Sequence, residues 1–509
     1  MRLARVAPVV GFALFFLACV GDTPTTQPDG GATCGSGTKS CGGQCVQLND
    51  PKLGCDSTGC TPCPSDTAKH QAPICDPNQK CAFSSTCDTG YADCDSNAGN
   101  GCETPTASDV QNCGACKNTC GTVNTSAVAC TTGKCKPTCN AGFAHCTSKD
   151  ADGCETNVGG SDPKNCGACG HDCLGGTCKA GVCQVVTISS SENKPTAIAV
   201  DSGSTGNVYW GNIYFGASAN PQQIRVSQKS GGGATKLFDA PNTTQGSLYP
   251  YITGVTTAGN FVYWTVSSCD AKPQLVYFGA KNGTGGVQTV KDSNTNLGWI
   301  NNVAITSDST NVYWVGSGCS GSEPRNIVKA TIGAATGSTL LLDNNNTAPG
   351  SLGIAVEDGA TGSIFWPNTN SGLRKVSKDG TSNVQLDNQA QTIAINATNV
   401  FYSYKSSLFT KGKDGKCGSS GTCPILLATI PSTELITAVV VDDKNVYFNA
   451  STLGGSPTGH TYAVKVDGTQ STPVTLGAGL LPAAMAIDDV AVYWVDQFAS
   501  SVFKVAKLP

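Results

Sequence analysis

Beyond residue 184 the chain repeats one apolar phrase. A run of small and β-branched residues leads into a short Asp/Asn turn, then into Val-Tyr-Trp or a close variant. The phrase occurs as Val208-Tyr209-Trp210, Val262-Tyr263-Trp264, Val312-Tyr313-Trp314, Ile364-Phe365-Trp366, Val400-Phe401-Tyr402, Val446-Tyr447-Phe448 and Val492-Tyr493-Trp494. In the sixth occurrence four strands read in order: 436–442, 445–449, 461–466 and 472–476. Asp379-Gly380, Asp414-Gly415 and Asp467-Gly468 are hairpin signals between such strands. Unbroken apolar and aromatic runs, without strict alternation, imply sheets buried on both faces. Four antiparallel strands every 40–50 residues or so is the pattern of propeller blades. The last repeat stops after its third strand, 501–508, and a lone strand, 184–189, precedes the first. The pattern therefore predicts an all-β fold with a seven-bladed β-propeller over 184–509. The lone strand would complete blade seven and remove two open edges.

Upstream the hydrophobic periodicity disappears and cysteine takes over. Three groups of eight Cys lie in 34–183, as units of about 34–81, 87–135 and 139–183. The second and third are visibly one repeat. Both carry GCET (Gly101–Thr104, Gly153–Thr156) and NCGAC (Asn112–Cys116, Asn165–Cys169), followed three residues later by another Cys. Units so poor in large apolar side chains cannot bury enough surface to fold unaided. Disulfides supply the missing stability, at about 2–4 kcal/mol each. The alternative, a metal held by Cys113, Cys116 and Cys120, does not suit an exported chain with an even number of Cys in every unit. Eight Cys allow 105 pairings, so the connectivity stays open.

The first 18 residues form an address. Arg2 and Arg5 precede a short apolar run, Val6 to Leu17, too short to cross a bilayer. The run ends at Ala18-Cys19, which resembles a bacterial lipobox and implies lipidation of Cys19. Residues 19–33 would then be a polar tether. Removing Cys19 from the 29 Cys leaves an even number, as full pairing requires.

Composition narrows the function classes. Only 13% of residues are charged, Gly numbers 61 of 509 and the net charge is −4. No basic cluster follows the leader, so nucleic acid is not an expected partner. The four His are His70, His145, His171 and His460, and only His460 lies among the propeller repeats. That argues against a multi-His metal site there and against Ser-His-Asp catalysis. No metal or cofactor is expected. Asp95, Asn97, Asn100 and Glu103, and likewise Asp150, Asp152 and Glu155, suggest a calcium loop only weakly, since their spacing does not fit an EF-hand. The recurrent Trp read as packing between blades. Asp201, Asp308, Asp442 and Asp488 read as turn formers.

Four Cys remain after residue 184. Cys417 and Cys423 flank a hairpin and are expected to staple it. Cys269 and Cys319 follow the Trp of blades two and three by the same interval and are expected to bond between blades. Connections are longest in blades one to three and carry Tyr214, Phe215, Tyr249, Tyr251 and Trp299. These five form the candidate binding face, because loops on a rigid scaffold are where function concentrates.

The NCGAC and GCET units followed by I-A-V-D and V-Y-W repeats resemble a family of predicted myxobacterial lipoproteins, and the repeats resemble YWTD- and NHL-type propellers. The resemblance implies an outer-membrane, lipid-anchored protein, at the cell surface or the periplasmic face. It brings no catalytic residues. Three readings follow: a module binding a protein or glycan on a disulfide-stapled stalk, an envelope hydrolase or lyase with acids at the channel, or a structural envelope protein.

Overall fold

The structure is a computed structural model. It describes residues 34–214, 222–240, 251–267, 275–293, 300–318, 325–343, 353–368, 372–416, 424–452, 458–470, 472–479 and 481–509. The fold is all-β. The only helical elements among the described residues are three 3-10 turns, Pro51–Leu53, Thr67–Lys69 and Asp150–Asp152. The chain forms two compact units, residues up to 121 with 128–137, and residues 122–127 with 138–509.

Twelve disulfides join the 24 Cys of the cysteine-rich region. In the second repeat they are Cys87–Cys102, Cys94–Cys116, Cys113–Cys130 and Cys120–Cys135. In the third they are Cys139–Cys154, Cys146–Cys169, Cys166–Cys178 and Cys173–Cys183. The diverged first repeat has the same order: Cys34–Cys45, Cys41–Cys60, Cys55–Cys75 and Cys63–Cys81. In each, the first Cys bonds the third, the second the fifth, the fourth the seventh and the sixth the eighth. The NCGAC glycine has a physical reason. Gly114 and Gly167 both have positive φ, and a Cβ on either would collide with the carbonyl oxygen of Gly133 or Gly181 across the following hairpin. The GCET acid closes the other loop. Glu155 accepts from the backbone N–H of Cys146 at 2.8 Å and of Thr147 at 3.0 Å.

From Val186 onward, strands fall into seven sets of four. Six are consecutive in sequence: Pro195–Val200 to Thr235–Asp239, Tyr251–Ala258 to Gln288–Asp292, Ile300–Ser307 to Thr336–Asp343, Ala355–Val356 to Val384–Asp387, Ile393–Ile395 to Ile425–Thr429, and Glu434–Val441 to Val474–Gly479. The seventh joins Pro482–Ile487, Ala491–Asp496 and Ser501–Ala506 to Val186–Ser189. Val186 pairs with Lys504 and Thr187 with Phe503, so the two ends of this region share one sheet. Sets two and three merge into one eight-stranded sheet through a short parallel pairing, Lys291 with Thr336 and Asp292 with Gly337.

The core explains why Val-Tyr-Trp is contiguous. Successive side chains of a strand point to opposite faces. Here both faces are buried, so the third residue packs on the preceding set and the second on the following one. Trp264 shares an apolar cluster with Tyr209 of set one, and Tyr263 shares one with Trp314 of set three. Tyr313 meets Trp366, Phe365 meets Tyr402, Phe401 meets Phe448, and Tyr447 meets Trp494. Tyr493 of set seven then meets Trp210 of set one. The five Trp of the repeated phrase are at most 4% exposed, which is a packing role.

The third cysteine repeat packs on the same compact unit. Cys166, Cys173, Cys178 and Cys183 lie in one apolar cluster with Trp494 and Val505. A ring nitrogen of His171, Nε2, lies 2.7 Å from the carbonyl of Lys507.

Candidate functional site

The two ends of the strand sets have different chemistry. At one end lie the turns joining first to second and third to fourth strands. This turn end is charged, and five of its lysines pair with an acid of the neighbouring set. Lys281 Nζ of set two lies 2.6 Å from Asp201 of set one. Lys378 of set four lies 2.5 Å from Asp308 of set three, and Lys413 of set five 2.8 Å from Glu357 of set four. Lys507 of set seven lies 3.2 Å from Asp442 of set six. Lys229 of set one lies 2.7 Å from Asp488 of set seven, with side chains 4% and 0% exposed. Every donor comes from the following set. The backbone N–H of each of these Lys bonds the turn of its own set, and Ile332 and Val466 occupy the same place in sets three and six. Opposite them stand Ala258 and Asn396, where the other sets have acids. Charge thus faces charge at five seams, and uncharged residues face each other at two.

The Asp residues read as turn formers do form turns. Asp308 Oδ1 accepts from the N–H of Thr310 and Asn311, and Asp488 Oδ1 from Val490 and Ala491. They also hold the lysine and a phenol, Tyr313 on Asp308 and Tyr493 on Asp488, each at 2.8 Å. Burial pushes the Asp308 carboxyl up, but Lys378, two backbone donors and Tyr313 together hold it well below the usual carboxylate range. Glu357 is likewise pushed up by burial but held low overall, chiefly by Lys413. The clefts at this end are lined partly by such partnered groups. One of 640 Å³ is bordered by Glu357, Lys411, Lys413 and Asp414. Another of 440 Å³ lies between His171 and Asp172 of the third cysteine repeat and Asp442, Asp489 and Lys507.

At the opposite end emerge the connections from second to third and from fourth to first strands. This loop end carries the long connections, such as Asn212 to Gln223 and Asp239 to Tyr251. In set five the same connection is the tight link from Tyr404 to Ser407. Of the candidate binding residues, Tyr214 and Tyr251 are described. The backbone N–H of Tyr214 donates to Gln222 Oε1 at 3.1 Å, and its hydroxyl donates to Gln223 Oε1 at 3.1 Å. Tyr251 opens its strand and is 43% exposed. Phe215, Tyr249 and Trp299 lie outside the described residues, as do Cys19, Cys269, Cys319, Cys417 and Cys423.

Three features here were missed by the sequence reading. Phe498, in the short turn after Asp496, is 61% exposed, and its N–H is held by the Asp496 carboxylate at 3.0 Å. Glu192 is buried. It accepts from Trp210 Nε1 at 3.1 Å and Asn212 Nδ2 at 2.6 Å, and pairs with Arg225 at 3.2 Å. Glu434, also buried, lies 2.7 Å from His460 Nδ1 and accepts from Tyr462 OH at 3.3 Å. Desolvation, then the Glu434 charge, push the Tyr462 phenol up to about 12. An exposed aromatic in a two-strand link was the only available signal for Phe498. The spacing of Glu434 and His460 carries none.

In the cysteine-rich region, Asp95 takes hydrogen bonds from Asn97 and Asn100, as a closed loop would. Asp93, Asp95 and Glu103 offer oxygens within 4.8 Å of one another. At the matching place in the third repeat, His145 stands 3.2 Å from Glu155. Burial pushes Glu155 up, but hydrogen bonds from the backbone, Thr156 and His145 bring it down to about 2.

No family model matches the chain, and no curated protein matches it. Among solved structures, a chain titled "Crystal Structure of Mitotic Checkpoint Complex" is similar at a TM-score of 0.42 and 8% identity, over 64% of this chain and 93% of that one. A likeness at that level carries no argument about fold or function.

Proposed function

We propose that residues 184–509 form a seven-bladed β-propeller acting as a binding module for a protein or glycan. In this reading Cys19 is lipidated, the chain is anchored in the outer membrane, and the cysteine repeats display the module at the cell surface or in the periplasm. The cyclic order of the seven apolar clusters supports a closed ring. Twelve disulfides support an oxidising, extracytoplasmic address. The observation that carries the binding reading is the contrast between the ends. The turn end pairs five lysines with acids across its own seams, whereas the loop end offers long connections and exposed aromatics on a rigid scaffold.

Fractionation and protease treatment of intact cells test the address. Cys19→Ala should release the chain from the membrane fraction. A chain still membrane-bound after that change would sink the anchor.

A second reading has one observation in its favour. A buried carboxylate on Nδ1 orients the half-exposed His460 so that Nε2 can serve as a base, the arrangement used in hydrolysis. Turnover abolished by His460→Ala would favour it over binding alone.

A further inference from the structure

We propose that the joint between the third cysteine repeat and the strand sets is gated by protons: His171 clamps it as the doubly protonated imidazolium and loosens it when the ring loses a proton. The gate is independent of what the module binds. The repeat and the strand sets belong to one compact unit, and His171 lies half-buried where they meet. Both of its ring nitrogens face main-chain carbonyls. Nδ1 points at the Cys166 oxygen of its own repeat, and Nε2 lies 2.7 Å from the oxygen of Lys507, just beyond the third strand of set seven. A further neighbour of Nδ1, at 3.9 Å, is the disulfide sulfur of Cys183. None of these three atoms carries a proton. A neutral imidazole has one N–H and one lone pair, so it serves one carbonyl and sets its lone pair against the other. The imidazolium donates to both.

The second repeat shows where the first of the two protons sits. Asn118 occupies the place of His171 there, five residues after the first Cys of NCGAC. Its side-chain Nδ2 donates to the Cys113 oxygen at 2.6 Å, and its main-chain carbonyl accepts from the Cys113 N–H, as that of His171 does from Cys166. The turn therefore uses a side-chain donor at this point in both repeats, and in the third repeat that donor is Nδ1. Bonding Lys507 through Nε2 then takes the second proton.

The surroundings favour the cation. The cleft that His171 helps to line also holds Asp172 of its own repeat, Asp442, Asp443 and Lys444 from the turn of set six, and Asp489 and Lys507 from set seven. Carboxylates outnumber ammoniums in that lining, which favours a positive ring. Two of the ammoniums nearby are already engaged by carboxylates, Lys164 on Asp172 at 2.6 Å and Lys507 on Asp442 at 3.2 Å, and the buried Lys504 donates to the Lys229 carbonyl at 2.8 Å. The segment held by the clamp is short. Beyond Ala506 its other main-chain ties are Lys507 N–H to the Val490 oxygen at 3.0 Å and Leu508 N–H to the Tyr447 hydroxyl at 3.0 Å.

Hydrogen exchange of the full chain, read on the peptide 503–509 and corrected for the pH dependence of the intrinsic rate, tests this. Protection there should fall at least about tenfold from about pH 5.5 to about pH 8, the range in which histidine changes charge, because a charge-assisted hydrogen bond is lost. The strand Gly372–Ser377 of set four, remote from the joint in sequence, is the internal control and should keep its protection. His171→Asn supplies the donor that Asn118 supplies and nothing for Lys507, so its peptide should show the low protection at both pH values; His171→Gln is the second variant. Free-thiol counts equal to the wild type show that the repeat still pairs its cysteines. Wild-type protection that stays level or rises across this range would overturn the proposal whatever the variants do. A fall that either variant repeats would assign the proton to another group and overturn it as well. Either outcome leaves the binding-module reading standing.

Discussion

Replacing Lys229 by Met should be among the most damaging single changes at the turn end. The Lys229 ammonium sits between Asp488 at 2.7 Å and the carbonyls of Asp201 and Gly203 at 2.5 and 2.6 Å. Methionine keeps most of the stem and removes the cation. Asp488 then remains buried with the N–H groups of Val490 and Ala491 and the Tyr493 hydroxyl as its donors. Breaking one side of a buried ion pair costs about 3–5 kcal/mol. The three surviving donors favour the lower end, about 3 kcal/mol. With a urea slope of about 3 kcal/mol/M for a fold this large, the midpoint should fall by about 1 M. The seam joins the first and last sheets, so Trp210 and Trp494, on either side of set seven, should report the loss together by fluorescence. Lys416→Ala is the control. Its side chain is 85% exposed and 3.8 Å from Asp414, so it should cost about 0–0.5 kcal/mol. The double variant K229M/D488N should cost less than the sum of its parts by about 2 kcal/mol, since neither charge is then left alone. A K229M midpoint indistinguishable from that of K416A would refute the reasoning that these pairs hold neighbouring sheets together.

The uncharged seam between sets two and three gives the converse test: Ile332→Lys alone should destabilise by about 1–3 kcal/mol, and adding Ala258→Asp should recover most of that in the same urea assay. Gly114→Ala should prevent correct pairing in the second cysteine repeat, because its Cβ meets backbone. Gly170→Ala, with open space around it, should cost only the strain of positive φ, about 1 kcal/mol; free-thiol counts on secreted protein distinguish the two. Acid should weaken the fold. Asp308, Glu357 and Glu155 all have depressed folded values, so their contribution is present above about pH 4 and is lost as the pH falls towards about 2. Urea midpoints at neutral pH and along that window should decline in step, and a flat profile would contradict it.

Much of the all-β architecture is legible in the sequence, because Val-Tyr-Trp reports a strand buried on both faces. Tyr209 and Trp210, adjacent in sequence, pack on different neighbouring sheets, and that is a direct consequence of period-two geometry. The disulfide order was not legible, because spacing does not determine which sulfurs meet. Only the structure shows that the diverged first repeat pairs as the other two do. The lysine partners were equally hidden. Lys378 reaches back to Asp308 and Lys229 crosses to Asp488, separations over which no local pattern acts. Residues judged by their loop length were found only in part. Tyr214 and Tyr251 stood out in long connections, whereas Phe498 sits in a short turn and shows itself by exposure alone.

The account rests most directly on binding without turnover. The full chain should be titrated with neutral and acidic polysaccharides in turn, measuring retained polymer and new reducing ends in the same samples. Saturable retention with an unchanged polymer is the predicted result. Release of reducing ends, abolished by His460→Ala, would contradict it and make the Glu434–His460 pair the centre of the molecule's chemistry.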